Sequence, residues 1–176
     1  PNRLEQGYGL DVQTIKSKVA PGALIITVDN GIGDIEAVDE LIAAGYEVII
    51  TDHHLPKDDV PKTTVVNPKI FSDPSDDMYM APGVLVAFTV IRAVIAKMIE
   101  IDASKNQEVT KVIGFGFCLV AMGIISDVIP MNDTMWEYTM MGLTELCTTQ
   151  HAALRALLSM CGVRKNQNIT STFLAY

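Results

Sequence analysis

The chain has 176 residues, 49% of them hydrophobic and 19% charged, a balance that builds a globular core and excludes a disordered tail. Its 13 Lys and Arg against 21 Asp and Glu leave a formal net charge of -8. As a whole it therefore lacks the basic face that supplies most non-specific affinity for nucleic acid, so a substrate phosphate must be met locally, by metal ions or a few placed cations.

The 12 Gly and 8 Pro are scattered without a repeat, which excludes a solenoid. Cys118, Cys147 and Cys161 show no CxxC spacing and read as buried or half-buried thiols in a reducing compartment, so a cytoplasmic location is expected. No signal peptide is expected, since Pro1 is followed by polar Asn2, Arg3, Glu5 and Gln6. A start at Pro-Asn-Arg without Met suggests a fragment. The uncharged run Val112 to Ile125 is too short to span a bilayer and predicts a buried helix, with no membrane partner.

In chain order, Asp11 to Val19 carries a weak helical pattern, broken by Pro21-Gly22. Leu24 to Val28 is a short apolar, β-branched run of the kind found in strands buried on both faces. It stops at the turn signal Asp29-Asn30-Gly31. Ile35, Val38, Leu41 and Ile42 then fall at helical spacing, with Asp34 as N-cap and Gly45 just past the end. Glu47 to Thr51 predicts a second strand, ending in Asp52-His53-His54. Thr63 to Val66 predicts a third, ending in Asn67-Pro68. This strand-helix-strand rhythm predicts an α/β fold, a parallel β-sheet flanked by helices. Parallel strands put all their carboxyl ends on one edge, where open α/β sheets bind ligands. Asp29, Asp52-His53-His54 and Asn67 are thus expected to converge there.

The rest predicts a helical C-terminal portion. Val84 to Ile99 forms a helix opened by Pro82-Gly83, and 100 to 108 a polar connector. A buried helix follows to about Ile125 and closes at Ser126-Asp127-Val128-Ile129-Pro130. Two more helices run from about Asp133 to Met160, with Gly142 and Gly162 as punctuation. The last dozen residues read as a frayed end or linker. Trp136 and Met140-Met141 are expected in the core, and His151 on the surface or at a helix cap.

Carboxylates with a neutral imidazole make a ligand set suited to Mn²⁺ or Mg²⁺ rather than thiolate-loving metals. A carboxylate and a histidine at neighbouring strand ends can share an ion, and two such ions can activate water and offset phosphoryl charge. Asp52 can orient an adjacent imidazole. Taken singly, Asp29 reads equally as a turn residue and Asp127 as a helix-end residue; two histidines at a strand end have no obvious packing purpose.

The ordered set is more specific. Val28-Asp29-Asn30-Gly31-Ile32, Ile50-Thr51-Asp52-His53-His54-Leu55-Pro56 and Val66-Asn67-Pro68-Lys69 resemble the second and third motifs, with the segment that trails them, of DHH phosphoesterases of the RecJ exonuclease type. Pro1-Asn2-Arg3 with Gly7-Tyr8-Gly9-Leu10 resembles the stretch before those motifs, and Ile125 to Pro130 the fourth. The likeness runs to about residue 143.

By this resemblance residues 1–165 are a Rossmann-like DHH core domain and 166–176 a linker or tail. Asp29 would bridge two Mn²⁺ or Mg²⁺ ions, with His53 and Asp127 as ligands to one of them. His54 would face the scissile phosphate, Asp52 would support the histidine pair, and Arg3 and Asn67 would contact substrate. The family's Asp-x-Asp first motif is expected upstream of Pro1, and its Gly-rich substrate module downstream of Tyr176. An Asn-Arg pair usual after the fourth motif is reduced here to Asn132.

The resemblance implies metal-dependent hydrolysis of single-stranded DNA in repair or recombination. The alternatives are the same chemistry on short oligonucleotides, cyclic dinucleotides or pyrophosphate, and a non-catalytic repair scaffold. Retention of Asp29, His53, His54 and Asp127 argues against the scaffold.

Overall fold

A computed structural model describes residues 9–57, 59–163 and 169–174. They fall into two compact units, residues 1–79 and 80–176, each with an apolar cluster of its own.

In the first unit, helix α1 (Val12–Lys18) starts at Asp11, whose carboxylate accepts from the Thr14 amide at 3.1 Å. That bond satisfies one of the amides a helix start leaves free. Strand β1 (Leu24–Val28) leads through a turn into helix α2 (Ile35–Ala43). Asp34 stands at its N-cap but makes no cap bond; its carboxylate accepts from the Leu10 amide at 3.1 Å instead. Gly45, at φ +87°, ends the helix in a left-handed conformation that costs glycine little. Strands β2 (Glu47–Thr51) and β3 (Thr64–Val66) complete a parallel sheet of order β1-β2-β3, with Leu24 opposite Glu47 and Ile49 opposite Thr64. The predicted α/β fold is the observed one.

Val12 of α1, Val38 and Leu41 of α2, and Val48 and Ile50 of β2 form the buried core of this unit. One expectation fails here. β1 is not buried on both faces: Leu24, Ile26 and Val28 are each about half exposed. Side chains alternate along a strand, and the helix side chains in the cluster meet the face that carries Ile25, Val48 and Ile50. After β3 a single helical turn, α3 (Pro68–Phe71), is capped by Asn67, and a 3-10 turn spans Asp77–Met80.

The second unit is helical: α4 (Gly83–Ile101), α5 (Asn106–Ser126), α6 (Asp133–Thr148), α7 (Ala152–Met160) and the short α8 (Ser171–Leu174). α5 packs against both α4 and α6. One contact between α5 and α6 depends on a missing side chain. A Cβ on Gly142 would overlap the Phe117 carbonyl oxygen and the Ala121 Cβ.

Four expectations are corrected in this unit. The tail is not simply frayed: Ile169 is buried, and Leu174 packs with it against Cys118, Leu146, Leu154 and Leu158. Trp136 is 58% exposed, and Met140 and Met141 are also exposed, because α6 turns Met135, Thr139, Gly142, Leu143 and Leu146 inward. Cys161 is exposed, whereas Cys118 is buried and Cys147 half-buried. Finally, the run Val112 to Ile125 belongs to a longer helix, and its window Val109–Ser126 is long and apolar enough to cross a membrane. Cys118, Val120, Ala121 and Ile124 of that helix are buried in the unit's own packing.

Candidate metal centre

The carboxyl edge of the sheet collects the polar residues that end each strand. The Asp29 amide donates to the Thr51 carbonyl at 2.9 Å, and the Asp52 amide to the Val66 carbonyl at 3.1 Å. Each bond carries the ladder one residue past its strand, so the side chains that follow are fixed relative to the sheet. Asp29 itself has φ +62°, a left-handed conformation that costs a non-glycine residue on the order of 1–2 kcal/mol. The Thr27 hydroxyl beneath it donates to the Asn30 carbonyl at 2.8 Å and closes the turn.

Asp52 is the buried hub, only 1% exposed. Its Oδ1 accepts from the His53 amide at 2.7 Å and the His54 amide at 3.2 Å, and lies 2.7 Å from His54 Nδ1. Its Oδ2 accepts from the Ile32 amide at 3.0 Å. One carboxylate therefore ties the loop after β1 to the loop after β2. Burial, the largest single influence, pushes this carboxyl upward. The bonds from Ile32, the His54 ring, and the His54 and His53 amides together outweigh it, and hold the group below its ordinary value.

Asn67, at the end of β3, is also 1% exposed. Its Nδ2 donates to the His54 carbonyl at 2.8 Å, and its Oδ1 accepts from the Lys69 amide at 2.9 Å. The amide is thus used inside the loop, holding the His54 backbone from below.

Above this base stand the donors. His53 Nε2 lies 3.1 Å from Asp29 Oδ1, and the His53 and His54 rings meet edge-on with centroids 4.6 Å apart. One ligand atom from each of Asp29, His53 and His54 lies within 4.8 Å of the others. A hard carboxylate oxygen beside borderline imidazole nitrogens fits Mn²⁺ or Mg²⁺. Of the residues expected at the site, Asp29, Asp52, His53, His54 and Asn67 do converge. Arg3 lies outside the described residues. Asp127 belongs to the second unit.

The sequence profile of the DHH family, N-terminal domain, matches residues 2–124. The chain belongs to the DHH family. Its similar relatives include the single-stranded-DNA-specific exonucleases RecJ of Haemophilus influenzae, 33% identical, and of Escherichia coli, 31% identical. Both alignments take in 100% of this chain and 31% of the relative, so the chain spans about a third of the length of these relatives. Among solved structures, a RecJ exonuclease bound to manganese superposes with TM-score 0.75 at 28% identity, over 100% of this chain and 41% of that one. The RecJ of Thermus thermophilus in complex with Mn²⁺ gives 0.67 at 26%, over 87% and 21%. The DHH profile takes in Asp29, Asp52, His53, His54 and Asn67 and stops short of Asp127.

Asp127 has a local signature of its own. The Asp127 amide donates to Gly123, Val128 to Ile125 and Ile129 to Ile124, the bonding of a Schellman helix end. The left-handed position after Asp127 is filled by Val128 at φ +53° rather than by glycine, and an acid at a helix C-terminus stands at the unfavourable end of the helix dipole. Among the described residues, Asp29 and Val128 are the two non-glycine residues with positive φ. One is a candidate ligand and the other follows one.

The sequence reading missed the Ile32 amide and the hydroxyls of Thr27 and Thr51. A backbone donor has no residue signature. The two threonines carried one signal, a hydroxyl near the carboxyl end of each of two largely apolar strands.

Proposed function

We propose that this chain is the metal-binding core of a RecJ-like exonuclease that hydrolyses single-stranded DNA. The observation that carries the reading is the convergence of Asp29, His53 and His54 donors within 4.8 Å at the carboxyl edge of a parallel sheet, in a chain of the DHH family. Asp29 and His53 would hold Mn²⁺ or Mg²⁺, and the manganese-bound neighbours support a divalent ion. Asp127 is carried as a further ligand on the resemblance of Ile125 to Pro130, and the strained helix end supports it. Arg3 is carried as a phosphate contact on resemblance alone, and the cytoplasmic location belongs to the same reading. Asn67 is proposed as a substrate contact on the same resemblance, and its bond to the His54 carbonyl gives it a supporting part in the loop as well.

Divalent ions, when bound, supply positive charge against the phosphoryl oxygens and lower the pKa of water. The chain's own residues do the positioning. Asp52 receives the Nδ1 side of His54, which leaves Nε2 to face a phosphate oxygen or a proton in transit. The side chain of His54 is largely exposed, which leaves it open to a phosphate from solvent. Because Asp52 also fixes the His53 and Ile32 amides, the same carboxylate that orients the catalytic imidazole keeps Asp29 and His53 in register.

The test uses the full-length protein with labelled single-stranded DNA, duplex DNA, short oligonucleotides and a cyclic dinucleotide. Asp29→Ala, His53→Ala and Asp127→Ala should each lose Mn²⁺ by calorimetry and lose cleavage while keeping the native circular dichroism spectrum. Single-stranded DNA should be the best substrate. Substantial cleavage by Asp29→Ala would overturn the reading.

A further inference from the structure

The turn that carries Asp29 is held from below by a hydroxyl that touches no ligand position. Thr27 is 4% exposed. Its Oγ1 donates to the Asn30 carbonyl at 2.8 Å and accepts from the Thr51 amide at 3.3 Å. Thr51, 1% exposed, donates its own hydroxyl to the Thr27 carbonyl at 2.6 Å. Gly31, at φ +105°, leaves room for this: a Cβ there would sit 3.1 Å from Thr27 Oγ1. Between the Thr27 and Asn30 ends of this clamp lies Asp29, in a left-handed conformation that aspartate tolerates better than most side chains but that still lies outside its favoured regions.

A strained backbone persists only where its surroundings over-determine it. Here the Asp29 amide bond to Thr51 fixes one side of the residue, and the Thr27 hydroxyl fixes the carbonyl of the next. Releasing the second restraint lets Asp29 relax toward negative φ, which swings its carboxylate away from His53 Nε2, now 3.1 Å distant.

We infer that Thr27 is a positioning residue of the metal centre, whose buried hydroxyl sets the left-handed turn that presents the Asp29 carboxylate to the ion. The inference rests on the metal-centre reading given above. It gives an interior strand residue, outside the set of ligands, a part in metal binding.

Three variants of the full-length protein test it, with free Mn²⁺ measured by electron paramagnetic resonance and folding by a thermal melt. Thr27→Val keeps the shape and removes the hydroxyl; it should weaken Mn²⁺ binding about ten- to a hundredfold, the usual effect of losing a support behind a ligand. Thr27→Ser restores the hydroxyl and should bind Mn²⁺ close to the parent. Thr27→Ala is smaller than either, so the Ser and Ala pair isolates the hydroxyl even if the Val variant does not fold. A purely structural role predicts a lower melting temperature with unchanged affinity, measured well below the melt, and that result would overturn the inference. Asp29→Ala is the control. If it loses Mn²⁺ while Thr27→Ala does not, the Thr27 inference alone fails; if Asp29→Ala binds as the parent does, the metal-centre reading fails.

Discussion

Asp52 shows how much one buried side chain can organise. Four donors point at its two oxygens, three from backbone amides and one from the His54 ring. Asp52→Asn keeps the volume but turns one oxygen into a donor group that must face another donor. Leaving a buried partner unmatched costs about 1–3 kcal/mol, and His54 loses the acceptor that orients its ring. We expect a stability loss of that size in urea denaturation, and a drop in cleavage rate of about 10²-fold or more in single-turnover assays, the range of a misplaced general acid or base. Full activity in Asp52→Asn would show that His54 needs no such support. The supporting role of Asp52 was legible from its place before two histidines. Its reach to Ile32 was not, because only folding brings the loop after β1 beside the loop after β2. A second residue, Cys118, makes an independent prediction. Burial, with Glu145 nearby, pushes its thiol up from 9.0 to about 11. It should resist iodoacetamide at pH 8 while exposed Cys161 is labelled, as mass spectrometry of the native protein would show. A thiol whose folded pKa is raised stabilises the fold below its unfolded pKa, and that contribution is lost as pH rises from about 9 to about 11.

Elements were easier to read than their faces. β1 begins and ends where the apolar run Leu24–Val28 does, and α4, α5, α6 and α7 fall close to their periodic patterns. The misreadings concern partners. An apolar strand such as β1 reads as doubly buried whether or not a second layer covers it, and Leu24, Ile26 and Val28 are half exposed in this chain. Trp136 reads as a core residue for the same reason, since hydrophobicity states what a residue tolerates and not which helix face meets a neighbour. Gly142 reads as punctuation in the sequence and is a contact point in the fold, because α6 meets α5 where the Phe117 carbonyl and Ala121 stand. Gly142→Ala must therefore push two helices apart. The added methyl should cost about 1–3 kcal/mol, the scale of an overpacked core, despite alanine's better helix propensity. A melting temperature at or above that of the parent would show that the α5–α6 interface can open without loss.

At the scale of the whole molecule, the charge balance bears on how a nucleic-acid strand would be held under the proposed function. With 21 acidic against 13 basic residues, few phosphates can be neutralised by Lys or Arg, and the edge that would receive the scissile phosphate is itself acidic at Asp29. Single-strand binding proteins release about 0.7 of a counterion per phosphate they neutralise, and the salt dependence of binding reports that number. For the polypeptide of residues 1–176, checked for helix content by circular dichroism, we expect a log-log salt slope no steeper than about -2, or two to three phosphates. We also expect EDTA to remove most of the affinity, since bound cations would be the main positive charge at the site. Fluorescence anisotropy with a labelled oligonucleotide, over a potassium chloride series with Mn²⁺ and with EDTA, measures both. A slope near -5 that persists in EDTA would reveal a basic surface that the composition conceals. It would also move the gripping of DNA onto these residues and away from the metal centre.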